Sequence, residues 1–598
     1  MKKIISNIFY ILKNTSKIAL KSKKIKIYIF ILFSLYIFDY VFKAVMPVIK
    51  AELINGAASI ANQTPDYFLM IFSLAVILLY SIYIYFFWAK RGILETLIEG
   101  EVKNNMNAYF YKRLCDIDYS LFNSPKIYED INFVQNNIPG YASDFFASQM
   151  LMSLLGTAVS IFITMFFLIK INIFVALIVL TGNIAGIFQK LYEAKNNYYV
   201  TARQMPERRW SGTYSSVMTE RKYLKEIRFF GLIPYLLDKW ESINKKLNRE
   251  NTKISVKYII TDIIKYFISN AFNVAALILT AYLILEGKTD IGSLILVYGT
   301  SSTMLDTSGS LFYSLGQLKQ VSNYTDKWRE FEQYSIFEHG EYLGETPKEI
   351  NIKFENVCFK YDGMQSNVLE NFNAEIKNGE KIAIVGENGS GKTTFVSLLN
   401  ALYHPQSGKI FISDSDISEN IGLLRKYSST LFQDFPQYEF SIRTNINIGD
   451  IYRDISENEL TEAAKKAGIY DYINTLSKQF DTPIGTLDDD GINLSGGQWQ
   501  KLALARAAVK KDAKIIILDE PASALDAIAE SEMYENAFKL FDGKTVIIIS
   551  HRLSATAFVD RILVFKDGIV IEEGSHKDLL ERKGVYYSMY AAQASLYK

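Results

Sequence analysis

A glycine-rich segment in the second half of the chain has the residue types that hold phosphate groups. The run "KIAIVGENGSGKTTFVSLLN" contains the pattern Gly386-x-x-x-x-Gly391-Lys392-Thr393. A strand-like apolar run precedes this pattern and an apolar helix-like run follows it, which is the context that a phosphate-binding loop requires. Glycines let backbone N–H groups surround phosphates, the lysine reaches the β and γ oxygens, and the threonine binds Mg²⁺. The segment therefore predicts a site for a nucleoside triphosphate with Mg²⁺.

Two apolar runs further along the chain end in side chains suited to hydrolysis. "KIIILDEP" ends in Asp519 and Glu520, and "KTVIIISHR" ends in His551. An acidic residue at such a strand end holds Mg²⁺ through water, and the next one polarises the attacking water. Gln433, in "TLFQDF", adds a polar contact at another strand end. Because a doubly wound sheet binds ligands at the carboxyl ends of its strands, we expect the acidic groups and the imidazole to meet there.

A second candidate anion site lies at 494–500, where the sequence is "LSGGQWQ". Free backbone N–H groups and the helix dipole both favour negative charge at a helix N terminus. The chain thus has two segments suited to binding phosphate. The residue types alone do not show why one protein needs both.

Composition divides the chain into two parts. At 598 residues it is too long for one ordinary core, and its net charge of +1 points to no nucleic acid or acidic partner. Apolar residues gather in long runs up to about residue 315 and in short strand-like groups from 351 onward. A membrane domain followed by a soluble domain is therefore predicted. Two isolated cysteines and four scattered histidines predict no disulfide and no metal beyond nucleotide-bound Mg²⁺.

Six segments are apolar enough to cross a membrane at the ~20 residues that a helix needs. They lie at roughly 25–48, 66–89, 147–169, 171–190, 258–285 and 290–315. Lysines ahead of the first span place the N terminus in the cytoplasm, and no cleavable signal peptide is predicted. The long charged connections at 90–146 and 191–257 would then be cytoplasmic, as helices that continue past the membrane.

Polar residues inside apolar spans are candidates for function because burying them in lipid is costly. Asp39 and Lys43 lie one helical turn apart and can neutralise each other. The sixth span, "VYGTSSTMLDTSGSLFYS", holds Asp306 among small residues, which suits either close helix packing or a water-filled pathway. The N-terminal stretch "ISNIFYILKNTSKIAL" is either an amphipathic surface helix or a solvated arm.

Together these motifs resemble an ABC exporter half-transporter, in which one membrane domain is fused to one ATPase domain. The resemblance implies a six-helix transmembrane domain of the type IV exporter class followed by an α/β P-loop NTPase domain. The expected boundaries are 1–315 for the membrane domain, 316–350 for a connector and 351–598 for the ATPase domain. It also implies ATP and Mg²⁺ as cofactors, and ATP hydrolysis coupled to transport.

The resemblance implies a role for each matching residue of the nucleotide site. Tyr361 looks like the aromatic that stacks on adenine, and 386–394 looks like the Walker A loop. The loop would bind nucleotide through Gly386, Glu387, Asn388, Gly389, Ser390, Gly391, Lys392, Thr393 and Thr394. Thr393, Gln433 and Asp519 would also hold Mg²⁺. Gln433 matches the Q-loop, Glu520 the catalytic glutamate and His551 the switch histidine.

In this family the signature segment completes the ATP site of a partner domain, which would explain the second anion site. The matching residues are Ser495, Gly496, Gly497 and Gln498, and "SALD" at 523–526 matches the D-loop with Asp526. The chain would therefore act as a dimer. A homodimer is expected because Lys392, Ser495, Glu520 and His551 are all present, although a heterodimer stays open. One departure is the acidic triplet Asp488–Asp490 ahead of the signature, which puts in doubt its usual contacts with cytoplasmic loops.

Two segments indicate the cargo. "LFQDFPQYEFSIRTNINIG" and "LSGGQWQKLALARA" are similar to lantibiotic-type peptide exporters, so a peptide cargo is the first expectation and a drug or lipid the second. A soluble ATPase conflicts with six spans, and importers usually keep the two domains on separate chains. Because the first span begins near residue 25, no leader-peptidase domain is expected ahead of it. The expected location is the cytoplasmic membrane of a bacterium, with the ATPase domain in the cytoplasm and membrane lipid around the spans.

Overall fold

The chain folds into two compact units. A computed structural model describes residues 2–61, 66–147, 150–336, 347, 349–486, 488–522 and 527–595. The first unit comprises Met1–Cys115 and Lys126–Tyr334, and the second comprises Asp116–Pro125 and Ser335–Lys598. The short segment Asp116–Pro125 therefore packs with the second unit although helices of the first unit flank it.

The described part of the first unit is helical. Its helices are α1 (Lys2–Tyr10), α2 (Ser16–Ala19), α3 (Lys23–Ala61), α4 (Tyr67–Asp116), α5 (Pro125–Ala147), α6 (Met150–Ile171), α7 (Ile173–Thr219), α8 (Arg221–Phe229), α9 (Ile233–Leu285) and α10 (Gly292–Glu332). The 50 residues of α4 and the 53 of α9 each extend about 75–80 Å at ~1.5 Å per residue. This length far exceeds the ~30 Å hydrocarbon core of a bilayer. The prediction that the charged segments continue the spans as helices is confirmed.

Each of the six predicted spans overlaps a described helix, but the apolar character of these helices differs. Within the described residues, four helical segments are long and apolar enough to cross a membrane: Lys23–Ile60, Tyr67–Asp116, Ser153–Ile171 and Ile233–Leu285. The fourth predicted span opens α7, which is apolar over the shorter stretch Ile173–Asn183. The sixth opens α10, where hydroxyl side chains lower the hydropathy. The predicted boundary at 315 falls inside α10, which continues to Glu332.

Helix α10 divides its polar residues between two faces. Thr300, Ser301 and Thr307 are buried, whereas Ser302 and Asp306 are exposed. At Gly299 the backbone approaches α3 so closely that a Cβ would lie 2.9 Å from the Pro47 side chain. Close packing therefore accounts for one face of this helix, and the run 300–310 does not face water as a whole.

Polar contacts also anchor the N-terminal helix. The Asn7 side chain is 1% exposed, and it donates to the Ser322 carbonyl and to Asp326, both at 2.9 Å. Ile5 and Phe9 stay exposed on α1. The N-terminal stretch is thus an amphipathic helix fixed to α10 rather than a solvated arm. Asp39 pairs with Lys43 at 2.7 Å, as predicted.

The second unit contains two sheets. The strands are β1 (Ile352–Phe359), β2 (Leu369–Ile376), β3 (Lys381–Gly386), β4 (Ser407–Ile412), β5 (Ser415–Asp416), β6 (Ser428–Leu431), β7 (Ile515–Asp519), β8 (Thr545–Ile549), β9 (Arg561–Lys566) and β10 (Ile569–Gly574). The first sheet is antiparallel with order β2-β1-β4-β5. The second has order β10-β9-β3-β8-β7-β6 and is parallel from β9 to β6, with β10 antiparallel at its edge.

Helices accompany these strands, so the predicted α/β fold is confirmed. They are α11 (Lys392–Leu399), α12 (Ile421–Tyr427), α13 (Ile442–Asn447), α14 (Glu457–Lys466), α15 (Tyr470–Thr475), α16 (Gly496–Ala508), α17 (Ala527–Leu540), α18 (His576–Arg582) and α19 (Val585–Ser595). Every residue of β7 and β8 is buried, as expected for central parallel strands that read as continuous Ile, Val and Leu runs.

The register of the parallel sheet determines which side chains meet. Asp519 pairs with Ile549 across β7 and β8, and the Ser550 N–H donates to Ile384 of β3 at 3.3 Å. The segments that follow β3, β7 and β8 therefore leave the sheet at the same edge. This edge holds the glycine-rich loop, the acidic pair and the histidine.

Candidate functional site

The glycine-rich loop connects β3 to α11 through backbone conformations that glycine adopts readily. Gly391, directly ahead of α11, has a φ of 102°. At Gly386 a Cβ would lie 2.4 Å from the Phe565 carbonyl oxygen, so no larger residue fits. Glu387, Asn388 and Gly389 are exposed at the tip of the loop.

Lys392 lies inside this loop. Its Nζ donates to the carbonyl oxygens of Gly386 at 2.9 Å and Glu387 at 2.8 Å. Burial lowers the pKa of Lys392, while the nearby charges of Glu520 and Asp519 raise it. Thr393 is exposed at the start of α11, and the Ser390 hydroxyl is buried with no partner among the described residues. The loop thus offers an ammonium group, two hydroxyls and a helix N terminus to an anion.

Asp519 ends β7 and is 3% exposed. Burial raises the pKa of its carboxyl to about 6, with further contributions from the charges of Glu520 and Asp434. Its Oδ1 is buried and accepts no hydrogen bond from the described residues. A buried carboxylate oxygen without a partner suits a hard divalent cation, which would favour the ionised form. The donor set therefore fits Mg²⁺, with the Thr393 hydroxyl as the second predicted ligand.

Glu520 lies at the centre of the site. Gln433 Nε2 donates to Glu520 Oε2 at 3.1 Å, and His551 Nδ1 lies 3.1 Å from Glu520 Oε1. The Glu520 backbone has a φ of 47°, and its N–H donates to the Ile549 carbonyl at 2.9 Å. A left-handed conformation at a non-glycine residue is strained, and here it turns the carboxylate towards the residues after β8. The predicted meeting of acid, amide and imidazole is confirmed.

Gln433 was expected both at this centre and on Mg²⁺. The structure places its amide nitrogen on Glu520. Only the carbonyl oxygen of a glutamine amide can bind a metal. The contact with Glu520 therefore leaves its role as a Mg²⁺ ligand a prediction.

The signature segment forms a capped helix N terminus. Ser495 caps α16: its Oγ accepts from the Gln498 N–H, and Gln498 Oε1 accepts from the Ser495 N–H at 2.8 Å. This reciprocal pair is a capping box. Gln498 thus has a structural role in addition to the predicted contact with nucleotide. Ser495 and Gly496 are exposed, whereas the adjoining Leu494 is buried, so the segment directs its polar end outward.

The predicted adenine-stacking residue lies beside the start of α11. The Tyr361 hydroxyl is 3.1 Å from Thr394 Oγ1, and its ring contacts that of Tyr403 edge-on at 5.3 Å. Tyr403 also contacts the segment that precedes α5: Asn123 donates to its hydroxyl at 3.0 Å, and the Tyr119 ring lies 5.7 Å away. Sequence reasoning missed Tyr403, because no local pattern marks a contact between residues 280 positions apart. The D-loop match, including Asp526, lies outside the described residues.

Comparisons with known proteins relate this chain to one family and to several individual proteins. The ABC transporter family matches residues 369–523. The subtilin transport ATP-binding protein SpaT of Bacillus subtilis is 29% identical over 550 residues, which cover 90% of this chain and 88% of SpaT. The nisin transport ATP-binding protein NisT of Lactococcus lactis is 29% identical over 452 residues, or 73% of this chain and 74% of NisT.

A solved structure shows the same fold over nearly the full length. It is a bacterial Atm1-family ABC exporter with ATP bound, with a TM-score of 0.77 and 23% identity. The match covers 94% of this chain and 97% of that chain. The candidate membrane spans lie in the first unit, and the ATPase domain in the second unit is cytoplasmic. The chain therefore contains an ABC transporter ATPase domain fused to a helical membrane domain, and it is an ATP-hydrolysing, multi-pass membrane protein.

Proposed function

We propose that this transporter exports a ribosomally made peptide of the lantibiotic type across the cytoplasmic membrane. One observation carries the proposal: the match to SpaT spans 90% of the chain and so includes the membrane domain. Cargo is contacted by the membrane domain, whereas ATPase domains are shared by exporters of many cargoes. NisT, the second relative with a peptide in its name, supports the same cargo class.

Hydrolysis would proceed at the edge of the parallel sheet. Lys392 and the loop 386–394 would hold the phosphates, and Tyr361 would stack on adenine. Asp519 and Thr393 would hold Mg²⁺, which neutralises developing charge on the phosphates. Glu520 would orient and polarise the attacking water, and His551 would hold the Glu520 carboxylate 3.1 Å away. The boundaries near 315 and 350 stay proposals, with α10 extending the membrane domain to Glu332.

The functional unit would be a homodimer. Ser495 and Gly496 are exposed at the N terminus of α16, where the helix favours an anion. A second copy would bring its phosphate loop to this end, so that two chains close two ATP sites. In such an assembly, the glycine-rich loop and the signature segment would both contact ATP.

Transport in inside-out membrane vesicles tests the cargo. The probes are a subtilin-type precursor peptide and, for the drug alternative, a lipophilic fluorescent dye. We expect ATP-dependent accumulation of the peptide but not of the dye, and none of either in vesicles that contain Glu520→Gln. Accumulation of the dye without the peptide would instead identify a drug exporter of the same fold.

A further inference from the structure

The last described helix of the chain contacts the backbone on both sides of Arg552, next to the histidine of the ATP site. Gln593, in α19, donates from Nε2 to the His551 carbonyl at 2.5 Å. The Leu553 N–H donates to Gln593 Oε1 at 2.9 Å. Both polar atoms of one amide therefore bind the turn that follows β8.

A second contact fixes α19 to the same turn. Tyr586 is fully buried, and its hydroxyl donates to Thr556 Oγ1 at 2.8 Å. The Thr556 hydroxyl donates in turn to the Leu553 carbonyl at 2.5 Å. Glu572 accepts from the N–H of Tyr586 at 3.0 Å and so holds the first turn of the helix. Because α19 is fixed at its start, Gln593 is in position about two turns later at ~3.6 residues per turn.

The turn is also held from α17. Glu530 is 2% exposed and accepts from Arg552 Nη1 at 2.5 Å and from the Ser554 hydroxyl. This ion pair fixes the side chains of the turn, whereas Gln593 binds its backbone. The His551 carbonyl is thus fixed by a residue that lies 42 positions further along the chain.

We propose that Gln593 is a positioning residue for His551. The imidazole has two rotatable bonds, so the direction of its Nδ1 depends on where the backbone of His551 is held. With that backbone fixed, Nδ1 lies 3.1 Å from Glu520 Oε1. The inference rests on the proposed role of His551 in hydrolysis. Through Gln593, α19 would help to orient the Glu520 carboxylate by way of His551. Gln593 itself contacts the turn after β8 and not the phosphate loop.

The test uses the full-length dimer in lipid nanodiscs. Gln593→Leu removes both hydrogen-bonding atoms at similar size, and Gln593→Glu keeps the acceptor for Leu553 but loses the donor to His551. Ser588→Ala is the matched control, because among the described residues the Ser588 hydroxyl makes one local hydrogen bond, to the carbonyl of Gly584 directly ahead of α19 at 3.1 Å. We expect kcat for ATP hydrolysis to fall about 10-fold in Gln593→Leu, from the loss of two hydrogen bonds. The fall in Gln593→Glu should be at least as large, because its carboxylate faces the His551 carbonyl without a proton to donate. KM for ATP and the melting temperature should stay close to wild type.

A double variant separates positioning from stabilisation. In a His551→Ala background, measured with radiolabelled ATP, Gln593→Leu should lower kcat no further, because its effect passes through the missing imidazole. An equal loss of kcat in both backgrounds would overturn the inference. So would a wild-type kcat in Gln593→Leu when His551→Ala has a reduced kcat. Wild-type kcat in His551→Ala alone would instead refute the proposed role of the histidine. If Gln593→Leu fails to fold, the comparison is made with Gln593→Glu, for which unchanged kcat counts against the inference.

Discussion

The two units of this transporter use polar side chains in opposite ways. In the ATPase unit, the polar groups converge: Glu520 contacts both Gln433 and His551 at 3.1 Å. Along the described apolar spans of the membrane unit, they are neutralised or lie on separate helix faces. Asp39 pairs with Lys43, and the hydroxyls of α10 are mostly buried while Asp306 on the same helix is exposed. Buried parallel strands bring polar side chains together at one edge of a sheet, whereas a helical membrane domain places them on several helix faces.

This difference explains why the reaction is easier to infer than the cargo. Strand ends fix the direction of a few residues, so short motifs specify the central residues of a site. A cargo pathway depends on which helix face meets which neighbour, including the faces of a second copy.

The largest effect is expected from the exposed signature segment. Ser495→Arg should abolish ATP hydrolysis, because a bulky cation at the α16 N terminus would block the ATP site of the partner. Nucleotide affinity of the single chain should stay near wild type, in contrast to Lys392→Ala, which removes the cation of the phosphate loop. The two are compared by binding of a fluorescent ATP analogue. Equal losses of affinity would show that Ser495 acts within its own chain.

A mixed dimer sharpens this test. One tagged chain carries Ser495→Arg and the other carries Lys392→Ala, so one ATP site contains both defects and the other contains neither. Activity should survive in this dimer and be absent from each homodimer. Loss of activity in all three dimers would have two explanations: the cross-chain arrangement is wrong, or both ATP sites must work together. A wild-type/Ser495→Arg dimer separates these explanations, because it is active in the first case and inactive in the second.

The proposed catalytic carboxylate, that of Glu520, should give the next largest effect. Glu520→Gln should slow turnover by at least ~100-fold while ATP still binds, because a neutral amide cannot polarise the attacking water. The variant should also hold the dimer closed around nucleotide. Glu532→Gln, an exposed residue on α17, is the control for loss of one negative charge. Wild-type ATPase activity in purified Glu520→Gln would refute the assignment.

The contacts of this site were predictable in part. The meeting of Glu520 and His551 follows from two apolar runs that each end in a polar group, because neighbouring parallel strands end at one edge. The contacts of Tyr403 with Asn123, and of Gln593 with His551, join residues 280 and 42 positions apart. No periodicity or local motif specifies such contacts, since they depend on how whole elements pack.

The end of α10 was harder to predict for a similar reason. The apolar run ends near 315, but the helix continues to Glu332. A Lys327–Glu330 pair at 2.8 Å supports its last turns. Arg113 of α4 donates to the carbonyls of Glu332 at 2.8 Å and Tyr334 at 2.7 Å, which satisfies the C-terminal backbone groups. The residue that completes this helix is thus distant in sequence and cannot be inferred from the helix itself.

A smaller effect is expected from pH at the proposed Mg²⁺ site. The pKa of the Asp519 carboxyl is raised to about 6 in the folded protein, above its value in the unfolded chain. Between these two pKa values, the folded protein keeps a proton that the unfolded chain has already released. The Asp519 carboxyl therefore contributes least to the stability of the fold above pH 6, where it is ionised. Mg²⁺ binding would require this ionised form. Between pH 7.5 and 5.5 the ionised fraction falls to roughly a quarter, so the Mg²⁺ concentration for half-maximal nucleotide binding should rise about fourfold. Titrations at both pH values check this.

The control for the pH effect is Asp519→Asn, in which the carboxyl that titrates is absent. Its Mg²⁺ requirement should be higher throughout and should change less between the two pH values. An equal pH dependence in the variant would assign the effect to the nucleotide phosphates instead of Asp519.

The smallest effect is expected in the membrane unit, where Asp306 is exposed on the face of α10 opposite the packed hydroxyls. If this face lines the cargo pathway, a carboxylate there would attract a cationic peptide in a partly desolvated site. Asp306→Asn should then lower peptide-stimulated ATPase activity about two- to threefold, as expected for one partly screened charge contact, with basal activity unchanged. Ser302→Ala, exposed one turn away, is the uncharged control. Unchanged stimulation by a lysine-bearing peptide would limit α10 to helix packing and leave cargo charge to other helices.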